Sequence, residues 1–422
     1  MSNPGNNPSG TSFSGGSPPG GRPAASPVGG PTTNSSGAPA TSTGPVPLLD
    51  VGRGNRPLRE EFLEAMARVV DSGRFLHGPE VKDLEQGIAE FTGAKHAIGC
   101  ASGSDALLLA LMALDIGPGD EVIVPSFTFF ATASAVWRVG ARPIFVDIDP
   151  QTFNIDPRAV ARAVTDRTKA IIPVHLFGQC ADMDSLLAIS RHTGAVVIED
   201  AAQAIGAKHA GRGAGSMGTI GCLSFYPTKN LGGFGDGGML TTNDDQLAER
   251  LRLFAAHGMN PRYYHRVVGI NSRLDTLQAA VLGVKLKHLA EWTEARRDNA
   301  ARYTRLFQES GLAARVTLPN EHEQCWHVWN QFTLRIPHGR RDSVRTQLAQ
   351  RGIGSEIYYP VPLHQQECFE PLGYSEGDLP HTERAAAEVL SLPIFPELTA
   401  VEQERVVEAL VEILAERRSA AA

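Results

Sequence analysis

In the segment Leu223-Ser-Phe-Tyr-Pro-Thr-Lys229-Asn-Leu-Gly-Gly-Phe-Gly-Asp-Gly-Gly238, one lysine stands between a short apolar run and a glycine-rich loop. No further charge follows it before Asp236. A lysine so placed can lose much of its hydration, which lowers its pKa towards a nucleophilic amine able to capture an aldehyde. Upstream, Ala195-Val-Val-Ile-Glu-Asp200-Ala-Ala-Gln203 reads as an apolar strand ending in a carboxylate. An isolated lysine and a strand-end acid are what pyridoxal phosphate chemistry needs: the lysine holds the aldehyde, and the acid keeps the pyridine nitrogen protonated. Each also has a plain reading. A lysine in such a loop also serves as a solvated surface charge, and an Asp after a strand also serves as a helix cap.

A third segment bears on the choice. Cys100-Ala-Ser102-Gly103-Ser104-Asp105 precedes an apolar helical run. Free N–H groups and the helix dipole at that end suit a phosphate, and Gly103 lets the backbone come close. The competing reading is a capping box, with Ser102 as cap and Asp105 three residues on. Ser224, five residues before Lys229, offers a hydroxyl to the same phosphate or to its own backbone. Phe127, Phe129 and Phe130 offer an aromatic face for a planar ring or simply core. His175, in Pro173-Val-His-Leu-Phe-Gly178, is placed to approach a bound ligand or to make one structural hydrogen bond.

The elements that must position these residues alternate. Strands are expected at 121–125, 143–148, 170–174, 195–200, 221–225 and 238–242, and helices at 105–114, 130–139, 183–192 and 244–257. Several strands are apolar throughout, as in sheets covered on both faces. The alternation predicts an α/β fold with a mostly parallel sheet. Ligands of such sheets bind at the strand carboxyl ends, where Ser126–Thr128, His175, Asp200, Ser224 and Lys229 fall. One long helical pattern runs from Leu274 to about Phe307. From Val316 a smaller α+β part is expected as strand, helix, strand and C-terminal helix. Residues 1–45 are mostly Gly, Pro, Ser, Thr and Asn with a single charged side chain, Arg22, and are expected to be disordered. That leaves a large α/β domain over 46–310 and a small α+β domain over 311–422.

Hydrophobic content of 42% and charge of 20% are ordinary for a globular chain. A net charge of −7 gives no ground for nucleic acid or an anionic membrane as partner. The cysteines at 100, 180, 222, 325 and 368 lack metal or CxxC spacing, so no metal site is expected and a reducing compartment is.

Four segments, Gly103-Ser104-Asp105-Ala106, Glu199-Asp200-Ala-Ala-Gln203, Ser224-Phe-Tyr-Pro-Thr-Lys229 and Asn271-Ser-Arg273-Leu-Asp-Thr-Leu-Gln278-Ala-Ala, occur in the order seen in the DegT-type sugar aminotransferases, which the chain resembles from about Pro47 almost to its end. The resemblance implies a fold-type-I, pyridoxal 5'-phosphate enzyme: cytoplasmic, homodimeric, and acting on a nucleotide-linked keto-sugar with L-glutamate as amino donor. It gives Lys229 and Asp200 the catalytic roles and places Gln203 near the ring's phenolic oxygen. The phosphate falls to Gly103, Ser104, the backbone N–H of Asp105, and Ser224. Phe129 takes the ring-stacking position. Asn271 is expected to complete the site from the second subunit, so that each site is shared. Around the sugar the resemblance puts His77, Arg273 and Tyr358, with tyrosine at 358 where many relatives have His-Tyr-Pro. The Gly269–Ala280 stretch, with Arg262–His265 ahead of it, looks most like aminases of UDP-linked 3-keto uronates; Arg273 suits a sugar carboxylate or, equally, the cofactor phosphate. The alternatives are a 4-keto sugar, a cyclitol ketone, or a cofactor-bound sensor without turnover.

Overall fold

A computed structural model of the chain describes residues 44–415. The expectation for the N-terminal tail therefore lies outside the described residues, apart from positions 44 and 45. No described helix is long and apolar enough to cross a membrane.

The central sheet is built from β1 (His96–Cys100), β2 (Glu121–Pro125), β3 (Arg142–Val146), β4 (Thr168–Ile171) and β5 (Val196–Asp200). A short hairpin of β6 (Lys208–His209) and β7 (Arg212–Gly213) intervenes before β8 (Ile220–Ser224) and β9 (Gly238–Thr242) complete it. Among the described residues its seven strands run in the order β1-β9-β8-β5-β4-β2-β3. β8, β5, β4, β2 and β3 are parallel, whereas β9 is antiparallel to both neighbours. The carboxyl ends of β1, β8, β5, β4 and β2 and the amino end of β9 therefore share one edge. β2 is buried at every position, as a strand with helices on both faces must be.

The observed helices Gly103–Ala113, Ala131–Arg138, Met183–Thr193 and Asp245–Ala255 fall where periodicity placed them, with ends moved by one or two residues. Two of the differences from the expectation lie beside the site. β1 was not foreseen: it is short, carries Gly99, and is fixed by antiparallel pairing with β9. The long helical run is two helices, Thr276–Leu286 and Leu289–Glu309, broken at Lys287–His288.

β10 (Cys325–Trp326) pairs with β6, and β11 (Phe332–Arg335) with β12 (Val389–Leu392). The helix Arg341–Gln350 packs against β12, and Ala400–Ala415 packs in turn on Arg341–Gln350 and Leu289–Glu309, all in one apolar cluster with this small sheet. Its apolar core continues into Val46, Phe127, Ile148, Phe153 and Phe177, so packing crosses the position near 310.

Candidate active site

The shared strand edge brings the phosphate candidates together. β8 and β9 pair Ser224 with Gly238, and β1 and β9 pair Cys100 with Gly238. A Cβ on Gly103 would lie 2.7 Å from Ser224 Cβ, and one on Gly238 would overlap the Ser102 carbonyl. Both glycines are needed for this approach. Ser102 caps the helix, its Oγ accepting from the Asp105 N–H at 3.1 Å. That corrects one expectation: the Asp105 N–H is taken by the cap, which leaves the N–H groups of Gly103 and Ser104, in the first turn without intrahelical acceptors, to face an anion.

Asp200 ends β5 in a buried position. Thr132 donates its hydroxyl to Asp200 Oδ2 at 2.8 Å, and the Ala202 N–H donates to Oδ1 at 3.2 Å. Burial raises the carboxyl's pKa, opposed by the Thr132 hydrogen bond, the Ala202 N–H and the charge of Lys229. A cationic N–H placed against this acid would bring it down again. Lys229 lies one strand over, in the loop after β8, partly exposed. Its surroundings lower the amine to about 8 through burial, against the pull of Asp200.

Gln203 accepts from the Phe177 N–H at 2.7 Å, and its Nε2 donates to the Tyr359 hydroxyl at 3.2 Å. The Tyr359 ring lies 6.1 Å from Phe127 and 6.2 Å from Phe129 between centroids. Phe127 is core, while Phe129 is 57% exposed and open to a planar ligand. Phe130, also exposed, lies against Phe369. Tyr359, not Tyr358, thus reaches the strand-end group. Tyr358, like Tyr359, packs against the neighbouring core but makes no bond to Gln203. Thr132 and Tyr359 were missed by sequence reasoning. For Tyr359 the signal was the Tyr-Pro dipeptide itself; Thr132 offered none.

His175 is not a substrate contact. Its side chain has no exposed surface. Nε2 bonds Glu199 Oε2 at 2.8 Å, and Nδ1 accepts from the Ala181 N–H at 3.1 Å. Glu199 also accepts from the N–H groups of Gly215, Met217 and Gly218. Burial opposes its ionisation, but the His175 hydrogen bond and charge and these N–H groups outweigh burial and hold its pKa below the usual value. The pair fixes the β5 end from behind: the His175 N–H donates to the Asp200 carbonyl at 3.0 Å.

Asn271, Arg273 and His77 form a second group. The loop carrying Asn271 and Arg273 is anchored where the Ala101 N–H donates to Ser272 Oγ at 3.1 Å. Asn271, Arg273, Ala101, Leu76, Asp236 and Gln278 line one cavity beside the phosphate turn. Arg273 makes no ion pair among the described residues. His77 is exposed on the adjoining Arg74–Gly78 segment, which is tied to Thr276 through the Phe75 carbonyl and the Gly78 N–H.

The residues present fit a phosphorylated pyridine aldehyde: a glycine-cleared anion pocket, a depressed amine, a buried acid and an open aromatic face. The comparisons agree. The profile of the DegT/DnrJ/EryC1/StrS aminotransferase family matches residues 57–411. A "Pleiotropic regulatory protein" of Geobacillus stearothermophilus is 54% identical over 87% of this chain and 98% of its own. A "UDP-N-acetyl-3-dehydro-alpha-D-glucosamine 3-aminotranferase" of Acidithiobacillus ferrooxidans is 47% identical over 84% and 94%. A "UDP-2-acetamido-2-deoxy-3-oxo-D-glucuronate aminotransferase" of Pseudomonas aeruginosa is 43% identical over 84% and 96%. Among solved structures, NtdA of Bacillus subtilis with bound cofactor PMP superposes with a TM-score of 0.83 at 35% identity, over 88% of this chain and 86% of that one.

Proposed function

Because the chain belongs to the DegT/DnrJ/EryC1/StrS aminotransferase family, we propose that it moves an amino group from L-glutamate to the keto carbon of a UDP-linked 3-keto sugar of the N-acetylglucosamine or glucuronate type. The observation that carries this reading is Lys229, its amine lowered to about 8 by burial beside the buried acid Asp200. Pyridoxal phosphate, when bound, supplies an electron sink for the charge left as a carbon loses its proton. The chain's own residues would do the rest. Lys229 Nζ would hold the aldehyde carbon and, once displaced there by the donor's amine, would move the proton at the reacting carbon. Asp200, oriented by Thr132 and the Ala202 N–H, would hold a proton on the pyridine nitrogen. Gly103, Ser104 and Ser224 would bind the phosphate. Gln203 Nε2 and the Tyr359 hydroxyl would offer donors to the ring's oxygen, and Phe129 an aromatic face to the ring.

The 3-keto assignment is supported by the two UDP-3-keto-sugar aminotransferases above. Arg273, without an ion pair among the described residues, supports a carboxylate on the sugar. The measurement is amination, with glutamate, of a UDP-3-keto-N-acetylglucosaminuronate, its neutral UDP-3-keto counterpart, a dTDP-3-keto-6-deoxyhexose, a UDP-4-keto-6-deoxy-N-acetylhexosamine and a cyclitol ketone. The UDP-3-keto sugars should react, with the uronate preferred. Preference for the 4-keto sugar or the cyclitol would overturn the regiochemistry; preference for the neutral sugar would remove the Arg273–carboxylate pairing alone. Binding without turnover on any arm would favour the regulatory reading that the Geobacillus relative's name suggests.

The active site is shared in a homodimer on this reading. Asn271 is exposed, and Phe75, Leu76 and Phe234 leave 50%, 41% and 43% of their surfaces open. Phe75 and Leu76 pair directly with the loop that carries Asn271, and Phe234 is held by Gln278 on the helix that follows. Mixing an inactive Lys229→Ala protein with an impaired Asn271→Ala protein should restore part of the activity. No recovery after verified subunit exchange would argue for a site made by one chain.

A further inference from the structure

The glycine-rich loop after Lys229 is folded around a side chain that the reaction does not use. Gln278 Oε1 accepts from the Phe234 N–H at 2.8 Å. A Cβ on Gly233 would lie 2.8 Å from Gln278 Oε1, and one on Gly235 3.0 Å from Nε2. These two glycines make room for the Gln278 amide. Seven residues later, and so on the same face of the helix Thr276–Leu286, Lys285 donates from Nζ to the Gly232 carbonyl at 2.7 Å. Lys285 is buried and forms no salt bridge among the described residues. The faces of Phe62 and Phe234 lie 5.8 and 5.2 Å from its Nζ. Burying an ammonium without a counter-ion is costly, and one carbonyl and two ring faces recover only part of that cost. The helix therefore retains an expensive residue where it grips the loop.

The loop in turn folds back on the segment that carries Lys229. The Gly233 N–H donates to the Phe225 carbonyl, and the Lys229 N–H to the Tyr226 carbonyl, each at 2.8 Å. A side chain at Gly232 would run into the Pro227 backbone.

We infer that Gln278 and Lys285 are positioning residues: together they clamp the 230–237 loop and set where the Lys229 amine stands relative to Asp200. This rests on the reading of Lys229 as the reactive lysine.

The test pairs Lys285→Met with Gln278→Met and the conservative Gln278→Glu, which keeps an acceptor for the Phe234 N–H. Three quantities are followed: amide exchange of 230–237, the pH of half-labelling of Lys229 by an acylating reagent in cofactor-free protein, and kcat against KM for glutamate. Both methionine variants should speed exchange and raise the half-labelling pH by about one unit. They should lower kcat about 10²-fold at little-changed KM, and Gln278→Glu should recover most of each change. Should Lys285→Met fail to fold, the Gln278 pair carries the test. A wild-type labelling profile in the methionine variants, with or without faster exchange, would overturn the inference. A borohydride-reduced cofactor found on another lysine of the wild-type holoenzyme would remove instead the Lys229 reading beneath it.

Discussion

Lys229→Ala is expected to lose the reducible cofactor linkage and to lose turnover by at least about 10⁴-fold, because in the proposed mechanism one amine both holds the aldehyde and moves the proton. The fold should survive, since the Lys229 amine is held by burial and the charge of Asp200, not by a side-chain network that other elements depend on. The same geometry sets a pH dependence. An ordinary lysine has a pKa near 10.4, whereas this amine is held at about 8. Cofactor-free protein should therefore capture the aldehyde about tenfold faster per unit rise in pH up to about 8, then level off. An unperturbed lysine would keep gaining to beyond pH 10. Stability follows the same sign. Between about pH 8 and 10.5 the unfolded chain binds the proton that folded Lys229 has lost, so the cofactor-free fold gains stability as pH rises through that window. Lys285, also held at about 8 by burial, adds in the same direction. A capture rate still climbing at pH 10 would mean that the amine is not desolvated as described.

Asp200→Asn is expected to keep the cofactor and to lower kcat by about 10²–10³-fold. Asparagine fills the same space and can still accept from Thr132, but it cannot carry the negative charge that keeps a proton on the pyridine nitrogen. Absorbance of the bound cofactor should report retention while turnover falls, which separates loss of chemistry from loss of binding. Thr132→Val should act in the same sense and more weakly, since it removes one donor from Asp200 and leaves the charge. Near-wild-type turnover in Asp200→Asn would take the proton-holding role away from this residue.

What the sequence made legible was local. β2, β5, β8 and β9 are short apolar runs bounded by Pro, Gly or polar residues, so their ends, and the residues on those ends, could be placed. Lys229, Asp200, Ser224 and the 102–104 turn gather because parallel strands bring their carboxyl ends to one edge. What stayed hidden depends on contacts between distant segments. β1 is short and interrupted by Gly99, and only its pairing with β9 makes it a strand. Nothing in the apolar period distinguishes one helix from two across Lys287–His288. A strand-end histidine such as His175 is ambiguous until its partner is known. Glu199 lies on the neighbouring strand and claims Nε2. Tyr359 meets Gln203 across a separation of 156 residues, and Gln278 enters the glycine loop from a helix 44 residues past Phe234. The glycines at 233 and 235 are clearance for that amide.

The proposed chemistry needs one covalent assignment, and peptide mapping of borohydride-reduced holoenzyme tests it most directly. The reduced pyridoxyl adduct should lie on the peptide containing Lys229 and be absent from the peptide containing Lys285, although both amines are held at about 8. An adduct on Lys285 or any other lysine, or no adduct on protein that retains its cofactor, would contradict it.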